Sequence, residues 1–93
     1  MPVIDPDALP RRHPDVLFRE VDEEVYLCAA DGATMYTLTD VGADIWRVCD
    51  GSRSVRDIAE HLLEIYEIDR ETLQRDLEEF LGVLHERNLV SWG

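Results

Sequence analysis

The sequence is poor in positive charge and has no long apolar run. Nine Lys and Arg residues stand against 21 Asp and Glu residues, so the 93-residue chain carries a formal net charge of −12. A surface of this sign repels nucleic acid phosphates and anionic membranes. No apolar run approaches the roughly 18 residues that span a bilayer, and the N terminus has acids and prolines where a secretion signal has bases followed by apolar residues. We expect a cytoplasmic protein with neither nucleic acid nor membrane as a partner.

Cysteines and histidines are few, and they form no recognisable catalytic or metal-binding motif. Cys28 and Cys49 form no C-x-x-C pair and are expected to be reduced core thiols, with a disulfide or a redox role as the alternative. The three histidines are far apart, and the five glycines are dispersed instead of forming a phosphate loop. Adjacent acids such as Glu78 and Glu79 point about 100° apart on a helix and are typical of solvated surface. We therefore expect no independent enzyme activity, no metal site and no cofactor.

Proline is confined to the start of the chain, at positions 2, 6, 10 and 14. Because this segment has little apolar periodicity, residues 1–15 are predicted to form an extended N-terminal arm that stays disordered until a partner orders it. Residues 16–92 are long enough for one small core, and we expect a single folded domain there.

Beyond the arm, the apolar pattern changes from a period of two to a helical period. Three strands are predicted over residues 16–21, 25–30 and 34–38, with a tight turn at Asp31-Gly32. Three helices follow, the first ending near residue 50 and the third near residue 87. The predicted N-terminal caps are Thr39, Ser54 and Asp69, each with a side-chain oxygen that accepts an amide proton. The predicted stop signals are Gly51 after the first helix and Asn88 after the third. The predicted fold is α+β and winged helix-turn-helix-like: a three-stranded antiparallel sheet followed by three helices.

The last two predicted helices resemble a helix-turn-helix, so a winged-helix DNA-binding regulator is the alternative function. Such a regulator needs Arg or Lys on the helix that enters the major groove. From Asp69 to Arg87, however, six acids face three arginines. Because only a cation can supply the counterion release of a phosphate contact, this helix is poorly suited to DNA.

An open sheet edge favours peptide binding instead. A three-stranded sheet has two edge strands whose backbone groups can pair with an added strand. If residues 34–38 form such an edge, an extended peptide could add there beside the third helix, whose apolar stripe includes Leu73, Leu77 and Phe80. The competing interpretation is that these three side chains only fill the core. Arg75, Asp76 and Glu79 would form the rim of the site. Because this rim is mainly acidic, it suits a peptide with lysines or arginines.

Several short segments between residues 38 and 90 have the order and spacing of a known family. They are Leu38-Thr39, Gly42-Ala43, Ile45-Trp46, Asp50-Gly51, Ile58-Ala59 with Leu62, Asp76-Leu77, Phe80-Leu81 and Leu84. Together they resemble the PqqD family, the peptide chaperones of pyrroloquinoline quinone biosynthesis, whose relatives are recognition elements for ribosomally made, post-translationally modified peptides. The quinone-pathway chaperone commonly has a proline-containing acidic stretch where this chain has "AADGATMYTL". A lasso peptide or a radical-SAM-modified peptide therefore fits as well.

The resemblance implies a non-catalytic domain that binds the leader region of a precursor peptide. The leader would add as an antiparallel strand in the cleft between the third strand and the third helix, and a modifying enzyme would act on the peptide presented there. The implied peptide-binding residues are Thr34, Met35, Tyr36, Thr37, Leu38, Leu73, Asp76, Leu77 and Phe80. The implied partners are the precursor (leader) peptide and a maturase such as a radical SAM enzyme or a lasso-peptide leader protease. The open edge could also support a homodimer.

Overall fold

The computed structural model describes residues 4–92 and confirms the predicted α+β architecture. A three-stranded antiparallel sheet precedes three helices, and a two-stranded sheet joins the two ends of the described chain. The strands are β1 (Pro10–Arg12), β2 (Leu17–Val21), β3 (Glu24–Cys28), β4 (Met35–Leu38) and β5 (Val90–Trp92). The helices are α1 (Asp40–Val48), α2 (Val55–Ile65) and α3 (Arg70–Glu86). The first three residues of the predicted arm lie outside the described residues.

The described part of the N-terminal segment differs from a disordered arm, because it packs against the rest of the domain. β1 pairs antiparallel with β5, and Pro10 is fully buried. The carbonyl oxygens of Pro6 and Ala8 each accept a 3.0 Å hydrogen bond from a first-turn amide of α2. Arg12 donates to two carbonyl oxygens at the C-terminal end of α1, at 3.0 and 2.9 Å. The segment thus satisfies backbone groups at two helix ends. A domain boundary at residue 15 stays a prediction.

The main sheet has the order β2-β3-β4, so β4 is an edge strand. Val25 and Leu27 of β3 are fully buried on its inner face, opposite Leu38 and Tyr36 of β4. The turn between β3 and β4 is held by Asp31, whose carboxylate accepts hydrogen bonds from the amides of residues 33 and 34 at 2.8 and 3.0 Å. These hydrogen bonds favour the charged carboxylate and lower the pKa of Asp31 below its ordinary value.

The predicted ends of α2 and α3 are confirmed by their hydrogen bonds. Ser54 and Asp57 form both hydrogen bonds of a capping box at the start of α2. Asp69 accepts a hydrogen bond from the amide of Thr72 at 3.2 Å at the start of α3. Asn88 follows α3 with a left-handed φ of 59°, and the amide of residue 89 donates to the carbonyl oxygen of residue 84 at 2.9 Å. This pattern is a Schellman motif, which satisfies carbonyl groups in the last turn of the helix.

The junction between β4 and α1 differs from the prediction. Thr39 is the N-cap of α1, but its side chain makes no capping hydrogen bond, so the predicted role of its hydroxyl is wrong. Only Thr39 separates the strand from the helix, and Asp40, the first helical residue, has a left-handed φ of 51°. A left-handed residue turns the chain sharply, and Asp is one of the few residues that tolerate it. The helix also ends at Val48, before the predicted end at Asp50.

The core lies between the inner face of the main sheet and the three helices. Trp46 of α1 is fully buried and meets Phe18 of β2 edge to face, with the ring centroids 5.6 Å apart. Both cysteines are free: Cys28 is half-buried, and Cys49 is fully buried in an environment that raises its pKa to about 12. Among the described residues, no helix is long and apolar enough to cross a membrane.

Candidate functional site: an open strand beside an apolar groove

The free edge of β4 presents the backbone groups of alternate residues. The amide of residue 29 donates to the carbonyl oxygen of residue 34 at 2.9 Å, so these residues form a hydrogen-bonded pair of the antiparallel ladder. Such pairs alternate with unbonded ones, and Tyr36 and Leu38 therefore direct their N–H and C=O groups toward β3. Met35 and Thr37 direct theirs away from the sheet. These outward groups can pair with an added strand.

An apolar groove of about 390 Å³ lies between the end of β4 and the N-terminal half of α3. Its lining residues are Thr37, Leu38, Thr39, Val41, Gly42, Ile45, Ile68, Leu73, Asp76, Leu77 and Phe80. The floor belongs to the core, because Ile45, Leu73 and Leu77 are at most 3% exposed. Leu38 and Phe80 are half-buried and form the apolar walls. A groove of this kind beside an open strand can receive the side chains of an added strand, while the strand edge pairs with its backbone.

A glycine sets the position of one wall of the groove. A Cβ atom at Gly42 would lie 3.2 Å from Cζ and 3.4 Å from Cε1 of the Phe80 ring. The ring therefore packs against the backbone of α1, and any side chain at position 42 would push it away. Because the Phe80 side chain borders the groove, a displaced ring would change the shape of the space available to a ligand.

Helix α3 continues along β4 beyond the groove. Asp76, Phe80, Val83 and Arg87 follow one another at intervals of three or four residues and so share one face of the helix. Val83 is 40% exposed there. The guanidinium carbon of Arg87 lies 5.3 Å from the centroid of the Tyr36 ring, within the range of a cation–π contact. This contact joins the C-terminal end of α3 to the start of β4, so the helix and the strand run side by side in opposite directions.

The structure brings six of the nine predicted peptide-binding residues into the groove lining: Thr37, Leu38, Leu73, Asp76, Leu77 and Phe80. The other three lie along the strand outside it. Thr34 precedes β4 and bonds to the carboxylate of Asp31 through its hydroxyl at 2.9 Å. Met35 is 71% exposed, and Tyr36 contacts Arg87. Whether these nine residues bind a peptide stays a prediction.

Sequence reasoning missed the contributions of α1 and of the link before α3. Val41, Gly42, Ile45 and Ile68 line the groove. The spacing of Val41 and Ile45, four residues apart on one helix face, was a usable signal for them. The predicted rim is only partly found, because Arg75 and Glu79 are exposed but do not line the groove.

Comparison with known proteins identifies the family. The model of the family described as Coenzyme PQQ synthesis protein D (PqqD) matches residues 24–90, from β3 to the first residue of β5. The chain belongs to the PqqD family. The resemblance found in the sequence is thereby confirmed. No curated protein matched the PqqD-family chain at a significant level.

Two solved structures share the fold of this PqqD-family domain. TbiB1 in complex with the TbiA(beta) leader peptide has a TM-score of 0.81 and 28% sequence identity, covering 87% of this chain and 94% of its own. Lasso peptide synthetase B1 complexed with the leader peptide has a TM-score of 0.80 and 24% identity, covering 90% and 99%. Both are leader-peptide complexes by description, and neither supports the alternative of a winged-helix DNA-binding regulator.

Proposed function

We propose that this PqqD-family domain binds the leader region of a ribosomally made precursor peptide and presents the peptide to a modifying enzyme. The observation that carries the proposal is the open edge of β4, with its outward backbone groups, directly beside the apolar groove. The solved complex of TbiB1 with a leader peptide, at 28% identity and a TM-score of 0.81, supports a leader peptide as the ligand.

The leader would add to β4 as a fourth, antiparallel strand. Met35 and Thr37 each offer one N–H and one C=O group, so up to four ladder hydrogen bonds could form, each contributing about 1 kcal/mol net. Alternate side chains of the leader would then point toward α3, where the groove can bury one large apolar side chain, worth about 1.5–3 kcal/mol. Selectivity would arise at these inward positions, because backbone pairing does not distinguish sequences.

The domain would contribute position and no chemistry of its own. Holding the leader places the remainder of the precursor at a high effective concentration beside the modifying enzyme, which makes the modification effectively intramolecular. The enzyme partner would be a maturase such as a radical SAM enzyme or a lasso-peptide leader protease. Two free cysteines suit the reducing cytoplasm in which we place this step.

Phe80 offers a sharper test of the groove than Leu77. Leu77 is 1% exposed, so Leu77→Asp would bury a charge in the core and unfold the domain. Phe80 is half-buried at the groove wall, and Phe80→Asp places the new carboxylate where water can reach it. Gln74→Asp is the matched control, because it adds the same charge to the same helix at an exposed position outside the groove lining.

The measurement is a calorimetric titration with a synthetic leader peptide, taken from any short precursor-peptide gene that neighbours the gene for this domain. We expect Phe80→Asp to weaken binding at least about tenfold, since the contact of one large apolar side chain is lost. Gln74→Asp should bind like the unaltered domain, and both variants should melt as folded proteins. Equal affinities for the two variants, or an equal loss in both, would rule out the groove as the binding site.

A further inference from the structure

The groove and its continuation along α3 carry opposite charges at their two ends. Asp76 lines the groove near Leu38, at the C-terminal end of β4. Arg87 lies against Tyr36, near the N-terminal end of the same strand. Among residues 4–92, neither Asp76 nor Arg87 takes part in an ion pair. Both charged groups are exposed and available to a ligand that follows β4.

Arg87 is held in this position from two sides. Its backbone amide donates to the carbonyl oxygen of Val83 at 3.1 Å, and the left-handed Asn88 ends the helix directly after it. Its guanidinium rests on the ring of Tyr36, whose neighbours on the inner face belong to the core. A cation–π contact uses none of the N–H donors of a guanidinium in a conventional hydrogen bond, so a carboxylate can still bind to them.

The geometry points to a groove that selects peptides by the order of their charged residues. This inference rests on the proposed function. An antiparallel strand on β4 would have its N-terminal side near Leu38 and Asp76, and its C-terminal side near Tyr36 and Arg87. The favoured peptide therefore has a basic residue first and an acidic residue later. Asp76 and Arg87 are eleven positions apart (76 to 87), which on a helix is about 16 Å. An extended peptide covers that distance in about five residues.

Selection from a display library of random 15-residue peptides tests this reading without a known leader. Peptides captured by the immobilised domain should carry a Lys or Arg, then an apolar residue, then an Asp or Glu about five residues after the base. A synthetic peptide from this pool and its partner with the two charges exchanged have the same composition. The exchanged peptide should bind roughly tenfold more weakly, because two exposed attractions become repulsions. The difference should shrink in 0.5 M salt, where the Debye length is only about 4 Å.

Charge reversal in the protein provides a second test of the preferred order of charges. Arg87→Glu should reduce binding of the original peptide and favour peptides with a base at the later position. Arg75→Glu makes the same change of charge at an exposed position outside the groove lining and should leave the preference unaltered. Asp76→Arg combined with Arg87→Glu should invert the preference, so that the exchanged peptide becomes the tighter ligand.

The outcomes separate this inference from the function on which it rests. If Phe80→Asp abolishes binding of the selected peptides but they show no charge order, or Arg87→Glu acts like Arg75→Glu, the groove binds peptides and the charge reading is wrong. If the library yields no peptide whose binding depends on Phe80, both the charge reading and the proposed function fail.

Discussion

Thr37→Pro separates peptide binding from folding, because the N–H group that it removes points away from the sheet. The alternation of the β3–β4 ladder assigns the backbone groups of Thr37 to the open edge. Proline is tolerated on edge strands for this reason, so we expect the free energy of unfolding to change by about 1 kcal/mol or less. An added peptide strand would lose one donor and leave its own carbonyl group unpaired. This loss amounts to about 1 to 3 kcal/mol, or roughly 5- to 150-fold in Kd.

The assay is a titration of the leader peptide by calorimetry or fluorescence anisotropy, with thermal melting of the same samples. Glu20→Pro is the control, because the same alternation places the outward N–H of Glu20 on the opposite edge strand, β2. Glu20 also forms an ion pair with Arg47, and Glu20→Ala accounts for that loss. If Thr37→Pro binds the leader as tightly as the unaltered domain while remaining folded, the peptide does not add to β4.

The remaining predictions concern two glycines, the cysteines and one turn. Gly42→Ala should weaken leader binding several-fold by displacing the aromatic wall of the groove, with a change in stability within about 1 kcal/mol. Gly82→Ala in mid-helix meets no atom within 4 Å, so it should add about 0.5–1 kcal/mol to the free energy of unfolding and leave binding unchanged; both variants need a melt and a titration. Mass spectrometry after iodoacetamide treatment of the native domain should show alkylation of Cys28 but not of Cys49. The pKa of about 12 leaves almost no Cys49 thiolate near neutral pH. Equal labelling of the two cysteines would contradict the buried environment of Cys49. Because folding lowers the pKa of Asp31, the Asp31 carboxylate stabilises the fold above the ordinary pKa, and this stabilisation is lost as the pH falls through the lowered pKa. Thermal melts of Asp31→Asn should therefore show a smaller loss of stability in acid than melts of the unaltered domain.

The elements that could be predicted from the sequence are those fixed by local interactions. Ser54, Asp69 and Asn88 act on amides or carbonyls within a few residues, so the sequence alone places these helix ends. β1 escaped prediction because a proline-led strand of three residues has no usable periodicity, and its partner, β5, lies about eighty residues away in the chain. Pairing over such a distance depends on how the whole domain closes, which no local pattern records.

The same distinction between local and long-range interactions holds for the candidate site. Its β4 and α3 residues could be predicted, because an alternating strand and an amphipathic helix each show one face in their own sequence. For α1, the spacing of Val41 and Ile45 indicates one apolar face but not that this face borders the groove. That placement depends on the close approach of Phe80 to the backbone at Gly42, a contact between residues far apart in the chain. The capping role of Thr39 failed for a related reason. The sharp turn is made at Asp40, and a left-handed residue at the start of a helix is unusual enough that composition does not indicate it.

Residue-resolved hydrogen exchange of the domain, free and saturated with its leader, measures the addition of a strand to β4 most directly. The amides of Met35 and Thr37 point outward, so binding should slow their exchange markedly. The amides of Tyr36 and Leu38 already bond to β3, and their exchange should change little by comparison, as should exchange at the open edge of β2. This alternation along one strand is the predicted result. Uniform slowing along β4, no slowing at Met35 and Thr37, or slowing at the edge of β2 instead would contradict strand addition at β4.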